Sequence, residues 1–450
     1  MGRLFALFAL FALSTAAARA GLSDDLAPLV AHERYTLANG LQVIIRQDPR
    51  QGFVAVSVHY RAGSRDDPPG RSGLAHLFEH LMFQGSHDSG GGMLEWAGRL
   101  SAIEMNATTW RESTRFHETV PAGSLETALW LESDRMGWLT LAENTLAMEK
   151  AAVKNERRQN VLSVPYGLAE EAFFGALFPP GHPYASSGGK EAQIDAATLG
   201  DAEAFYRSAY RPANATLAIV GDVDPKWVKA RVARYFGPLP PGPPLRRAQV
   251  APVRLDREVR VHHPERLGPL PRVYLGWLSP AFFSPGDAAG DLLAAILAGG
   301  RSSRLARRLD RAGLARNVVA RQQSFEEQSV FRIVVTTGKA DNPEDVIAAI
   351  DQELAELRAR GPTADELAAA LASWEVTLVS RLDGVRGLGR TAEELQSYNH
   401  VLGQPAGLLR DLERYRAVTP EEVRRFAAEV LEPARRVVLI AEPVQAGGQP

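Results

Sequence analysis

The sequence predicts an α+β protein of two similar domains, each a mainly antiparallel sheet with helices packed on one face. Three observations lead there. The chain has 450 residues, and single hydrophobic cores stop growing near roughly 250–300 residues, so two cores are expected. A proline-rich stretch divides the chain near its middle. A helix end, a short turn and an apolar strand recur in that order near the end of each part.

The divider is Phe236-Gly237-Pro238-Leu239-Pro240-Pro241-Gly242-Pro243-Pro244. Its prolines cannot continue a helix or join the middle of a sheet. The expected organisation is therefore a first domain at 21–236, a linker at 237–249 and a homologous second domain at 250–450. In the first part, Phe205 to Pro225 runs from a helix end through an Arg-Pro turn into Thr216-Leu217-Ala218-Ile219-Val220. In the second, Phe426 to Pro443 runs through a Glu-Pro turn into Arg436-Val437-Val438-Leu439-Ile440. A duplicated domain accounts for both. Apolar or β-branched residues run or alternate at Gln42–Arg46, Val54–Tyr60, Val273–Trp277 and Phe331–Thr336, which predicts strands. Helices are expected at Ser124–Met136, Leu146–Val161 and Pro343–Arg360, the last with Pro in its first turn, where a missing N–H costs nothing. Strands and helices do not alternate strictly, which favours antiparallel sheets over βαβ units.

Residues 1–20 read as a signal peptide. Arg3 precedes an apolar run from Leu4 to Leu13, and small residues end at Ala18-Arg19-Ala20, with cleavage expected before Gly21. A membrane anchor is the alternative, but the run is shorter than the ~20 residues a spanning helix needs. No later stretch is long and apolar enough to span a bilayer. The mature protein is thus expected in the periplasm or outside the cell. Net charge is −2, which gives no electrostatic reason to expect nucleic acid or an anionic membrane as partner. The absence of cysteine excludes disulfides, thiol nucleophiles and thiolate metal sites, leaving His and carboxylates as the ligands for any metal.

The chemistry concentrates in Gly73-Leu74-Ala75-His76-Leu77-Phe78-Glu79-His80-Leu81-Met82-Phe83. Its apolar residues recur at helical spacing. His76 and His80, four apart, share one helix face, so two imidazoles can converge on one ion. Glu79 lies on the same side, where a carboxylate can reach a water and act as general base. Unpaired ionisable groups are rarely buried in so apolar a segment, and a metal would satisfy all three. Catalytic zinc takes three protein ligands, so a third His, Asp or Glu is required. The segment Met148 to Arg157 offers Glu149 and Glu156, seven apart and therefore on one helix face. Read alone, that segment equally fits a solvated charged helix.

These motifs resemble the pitrilysin/insulinase family of zinc metallopeptidases, the inverted-motif class that includes the mitochondrial processing peptidase. Glu156 follows His80 by 156 − 80 = 76 residues and follows Glu149 by 156 − 149 = 7, spacings that match the family. Asn106-Ala107-Thr108-Thr109, Thr119-Val120-Pro121, Asp134-Arg135-Met136, Pro165-Tyr166-Gly167 and His182-Pro183-Tyr184 match in order, so the likeness covers nearly the whole mature chain. The resemblance implies one zinc ion per chain on His76, His80 and Glu156, with Glu79 as base and Glu149 as a supporting carboxylate. It implies peptide-bond hydrolysis, with substrate added as a strand along an edge near Leu100–Ala107, Asn106 and Ala107 lying nearest the scissile bond.

The resemblance also exposes a gap. Family members supply an oxyanion-holding Tyr just after a Gly-Leu-Ala run, but here Gly313-Leu314-Ala315 is followed by Arg316. Losing an oxyanion donor costs on the order of 10²–10³ in rate. The expectation is that a related metal-free subunit completes the site in a heterodimer, with a homodimer as the other assembly. The alternative is that Arg316 itself serves as a cationic donor to substrate. A catalytically silent structural or assembly subunit is the competing function. The remaining histidines, including His59, His400, His262 and His263, lack ligand spacing.

Overall fold

A computed structural model of the chain describes residues 26–49, 52–186, 188–243, 247, 250–338, 341–382 and 387–444. The expected signal peptide at 1–20 and part of the expected linker lie outside them. No helix among the described residues is long and apolar enough to cross a membrane.

Each half builds one sheet. The first contains β1 (Glu33–Thr36), β2 (Gln42–Gln47), β3 (Phe53–Tyr60), β4 (Glu104–Thr109), β5 (Thr114–Pro121) and β6 (Ala215–Gly221), in the order β1-β2-β6-β3-β5-β4. The second contains β7 (Val259–Glu265), β8 (Arg272–Ser279), β9 (Asn317–Gln323), β10 (Ser329–Thr336) and β11 (Val437–Pro443), in the order β7-β11-β8-β10-β9. Apart from β1, the two orders correspond strand for strand. The parallel pairs are β2 with β6 and β7 with β11, and every other pairing is antiparallel. This is the duplicated, mainly antiparallel α+β architecture that the sequence predicts. Apart from the edge expected at Leu100–Ala107, each expected strand lies within, or within one residue of, an observed one.

The helices that matter for the site are α1 (Leu74–Leu81), α2 (Met93–Leu100), α3 (Leu125–Trp138), α4 (Glu143–Arg157) and α5 (Gly167–Leu177) in the first half. In the second half they are α6 (Pro343–Arg360), α7 (Ala364–Leu382) and α8 (Gly387–Leu402). Two expectations shift. The helix expected at Leu146–Val161 ends as an α-helix at Arg157 and widens into a π turn at Arg158–Leu162, closed by Ser163 N–H donating to the Arg158 carbonyl at 2.7 Å. The edge strand expected from Leu100 begins instead at Glu104. Met93 and Leu100, seven apart, are both buried on one face of α2, so helical burial claims Leu100 for the helix end. Ser101, at φ 53°, then turns the chain into β4.

Strand side chains alternate between faces, so each sheet has two apolar sides to cover. Val43, Ile45, Val54, Val56, Val58 and Ile219 face the first half's own helices. Ile44, Ala55, Ala218 and Val220 face the other way, against Leu388, Ala392 and Leu395 of α8. Gln396 of α8, fully buried, donates to the Ser57 and Thr216 carbonyls at 2.7 and 2.9 Å and accepts from the Ser57 hydroxyl at 2.8 Å. The second half reciprocates. Ala169, Phe173, Phe174 and Leu177 of α5 cover Tyr274, Val437, Leu439 and Ala441. Each half therefore lends one helix to the outer face of the other's sheet.

That exchange is testable at Gly276 on β8. A Cβ there would lie 2.3 Å from Cζ of Phe173, a fully buried ring that cannot withdraw. Gly276→Ala is expected to destabilise the chain by about 1–3 kcal/mol through overpacking, read as a lower unfolding midpoint in denaturant.

Candidate metal centre

The centre is built from α1, α4 and the edge strand β4. Helix α1 starts where Asp67 accepts N–H bonds from Gly73 and Ala75, both at 2.7 Å, satisfying donors that the helix start leaves free. Burial pushes the Asp67 carboxyl up to about 7, against the pull of those two donors. Leu74, Leu77, Phe78 and Leu81 are buried in the first core, which turns His76 and His80 toward α4. On α4, Leu146 and Val153 are buried against that core and Glu149 lies largely buried between them in sequence. Helical spacing from Glu149 through Val153 then places Glu156 on the side that faces the histidines.

The ligand atoms of His76, His80 and Glu156 lie within 4.8 Å of one another, the one such group of three among the described residues. His80 Nε2 is 3.2 Å and His76 Nε2 3.5 Å from Glu156 Oε2. Donors about 2.0–2.1 Å from a shared tetrahedral ion stand ~3.3 Å apart, so the two imidazoles and one carboxylate fit a zinc ion and leave a fourth position open. Glu149 Oε2 is 3.1 Å from His80 Nδ1, and Gln84 Nε2 donates to Glu149 Oε1 at 2.6 Å. An acceptor at Nδ1 fixes the ring's proton there and leaves Nε2 free for a metal. Asn160 Nδ2 donates to Glu156 Oε1 at 3.2 Å, leaving Oε2 facing the histidines.

Glu79 is buried, and its Oε2 accepts the Thr109 hydroxyl of β4 at 2.5 Å. Burial raises its carboxyl above the usual range, against the Thr109 hydrogen bond, which lowers it. Burial lowers the His76 imidazole below its ordinary value, so the neutral, ligating form prevails there. Burial also disfavours the charged form of His80, but the Glu149 hydrogen bond and neighbouring carboxylates outweigh it and raise this imidazole.

These groups line a cleft of about 710 Å³ together with Phe83, Leu94, Asn106, Ala107 and Trp110. Asn106 and Ala107 are on β4, whose outer edge has no strand partner among the described residues. Arg316 does not join this cleft. It precedes β9, donates its N–H to the Thr336 carbonyl at 2.8 Å, and lines a separate cleft with Arg301 and Asn317. Sequence reasoning missed Gln84, Asn160, Thr109 and Asp67. Asn160 stands four residues after Glu156, so helical spacing could have found it, whereas Gln84 lies beyond α1 and meets Glu149 on α4 across the fold. Thr109 meets Glu79 through tertiary packing alone.

Comparisons with known proteins show the family and the fold. Residues 42–172 match the family described as Insulinase (Peptidase family M16), and residues 196–373 match Peptidase M16 inactive domain. The zinc protease PqqE of Helicobacter pylori is 30% identical over 339 residues, covering 73% of this chain and 74% of that protein. The mitochondrial-processing peptidase subunit beta of Blastocladiella emersonii is 23% identical over 423 residues, covering 91% and 88%. The crystal structure of a protease from Helicobacter pylori superposes with a TM-score of 0.82 at 26% identity, covering 92% of this chain and 100% of that one. The crystal structure of pitrilysin shares the fold, with a TM-score of 0.77 at 20% identity over 93% of this chain and 45% of pitrilysin. The chain belongs to the insulinase family of peptidases, M16.

Proposed function

We propose that the chain is an exported zinc-dependent endopeptidase that hydrolyses peptides or unfolded segments. The observation that carries this is the convergence of His76, His80 and Glu156 beside a buried, hydrogen-bonded Glu79. A zinc ion held by those three residues supplies a Lewis acid at the cleft. Glu79 takes a proton from the attacking water as its oxygen bonds to the scissile carbonyl carbon. It then gives that proton to the amine as the C–N bond breaks. Glu149 orients His80, and Thr109 orients Glu79. Substrate adds as a strand to the β4 edge, with Asn106 and Ala107 next to the scissile bond and main-chain hydrogen bonds supplying affinity.

A second, related chain without the metal set completes the site in this reading, as a heterodimer; a homodimer, in which a second copy of this chain does so, is the other assembly. The position of Arg316 in a separate cleft supports this, because no residue of the described second half stands beside the metal set as an oxyanion donor. Export rests on the leader pattern at 1–20, and a structural neighbour is the periplasmic protease PqqL from Escherichia coli. A silent assembly subunit is the competing reading, favoured by the match of residues 196–373 to an inactive domain.

Metal analysis and peptide cleavage by the purified mature chain, alone and with co-purifying partners, separate these. A folded chain that takes up no zinc ends the peptidase reading. Cleavage at ordinary peptidase rates (~1–10³ s⁻¹) by the chain alone ends the heterodimer part of it. Glu149→Ala is expected to weaken zinc binding about 10–100-fold, measured by competition with a chromophoric chelator, because His80 loses the acceptor at Nδ1.

A further inference from the structure

The two halves meet through a polar clamp at the turn between β4 and β5. Glu112, in that turn, accepts at Oε1 the Glu326 N–H from the β9–β10 hairpin at 2.7 Å, and it also accepts the Tyr184 hydroxyl. Tyr184 OH accepts the Glu327 N–H at 3.3 Å. Arg65 pairs with Glu327 at 3.0 Å and with Glu326 at 3.4 Å, and Arg247 pairs with Glu326 at 2.7 Å. Arg111, beside Glu112, lies 4.4 Å over the Phe174 ring of α5 and 4.9 Å over that of Phe325.

The same turn is tied to the metal cleft. Ser64 N–H donates to the Trp110 carbonyl at 3.0 Å and Arg65 N–H to the Arg111 carbonyl at 2.8 Å. Three residues before Glu112, Thr109 holds Glu79, and two residues after Arg65, Asp67 holds the start of α1. Moving this turn would therefore move the anchor of the base and the anchor of the ligand helix together.

We propose that Glu112 is a positioning residue: it fastens the β4–β5 turn to the second half of the chain and so holds Thr109 against Glu79. The second half, which lacks a metal group of its own among the described residues, acts in the reaction through this clamp. The inference rests on the reading of Glu79 as the base. Glu112 needs to be an acceptor more than a charge, since both its partners are donors. Burial pushes its carboxyl up to about 7, so a neutral acceptor is accessible there.

The test compares Glu112→Leu, Glu112→Gln and Tyr184→Phe in the full chain by zinc content and hydrogen exchange, and by peptide cleavage with its co-purifying partner present. Glu112→Leu is expected to keep its zinc, to exchange faster at residues 61–67 and 104–114, and to lose about 10–100-fold in kcat with KM little changed. Glu112→Gln restores most of both, and Tyr184→Phe falls between. Wild-type kcat and exchange in Glu112→Leu overturn the inference, as does Glu112→Gln impaired as severely as Leu. If Glu112→Leu does not fold, Glu112→Gln and Tyr184→Phe decide by the same readouts. Exchange needs no activity, so a wild type inactive even with its co-purifying partner would defeat the peptidase reading while the exchange comparison still judges the clamp.

Discussion

Glu79→Gln is expected to keep one zinc per chain and to lose about 10²–10⁴-fold in peptide cleavage. Gln has the shape of Glu and can still accept the Thr109 hydroxyl bond, so the fold and the three ligands are left alone. What disappears is a group able to take a proton from water and return it to the leaving amine. The loss corresponds to about 3–5 kcal/mol of transition-state stabilisation. The measurement pairs metal analysis with kcat on one unfolded peptide. Undiminished cleavage with zinc retained would remove Glu79 from the chemistry. Zinc lost along with activity would make it a structural member of the metal set instead.

Glu156→Ala is expected to leave the chain folded but unable to retain zinc through dialysis. Two imidazoles one helical turn apart offer two donors, and the third comes from a helix far along the chain. Removing it should exceed the ~10–100-fold weakening that follows loss of an outer partner such as Glu149. A thermal readout distinguishes this from misfolding. A metal that binds the folded state alone, at a hundred times its Kd, stabilises by about 2.7 kcal/mol. Chelator should therefore lower the melting temperature of the wild type and leave that of Glu156→Ala unchanged. A chelator shift of wild-type size in the variant would show that Glu156 is not a ligand.

These two outcomes differ in kind, and so did the legibility of the residues behind them. The pair His76 and His80 could be read directly because four residues of helix fix where two side chains point. The shared face of Glu149 and Glu156 was legible for the same reason. That α1 and α4 meet was supplied by family spacing, since helical periodicity does not say which faces of distant helices touch. The placement of Arg316 shows the same limit. Its neighbours in sequence matched, but the fold sets it before β9, lining another cleft.

By itself the sequence determined the strands, the helices of the metal set, the duplicated plan and the donor types, because each is a short-range pattern of apolar period, turn chemistry and ligand spacing. Tertiary structure alone decided that Thr109 reaches Glu79, that Asp67 caps α1, that α5 and α8 change places between the halves, and that Glu112 meets Glu326. The hydrogen bonds among those contacts join residues from 6 to 339 positions apart. They are selected by which buried surfaces and polar groups satisfy one another once the chain is folded, and no local periodicity encodes that choice.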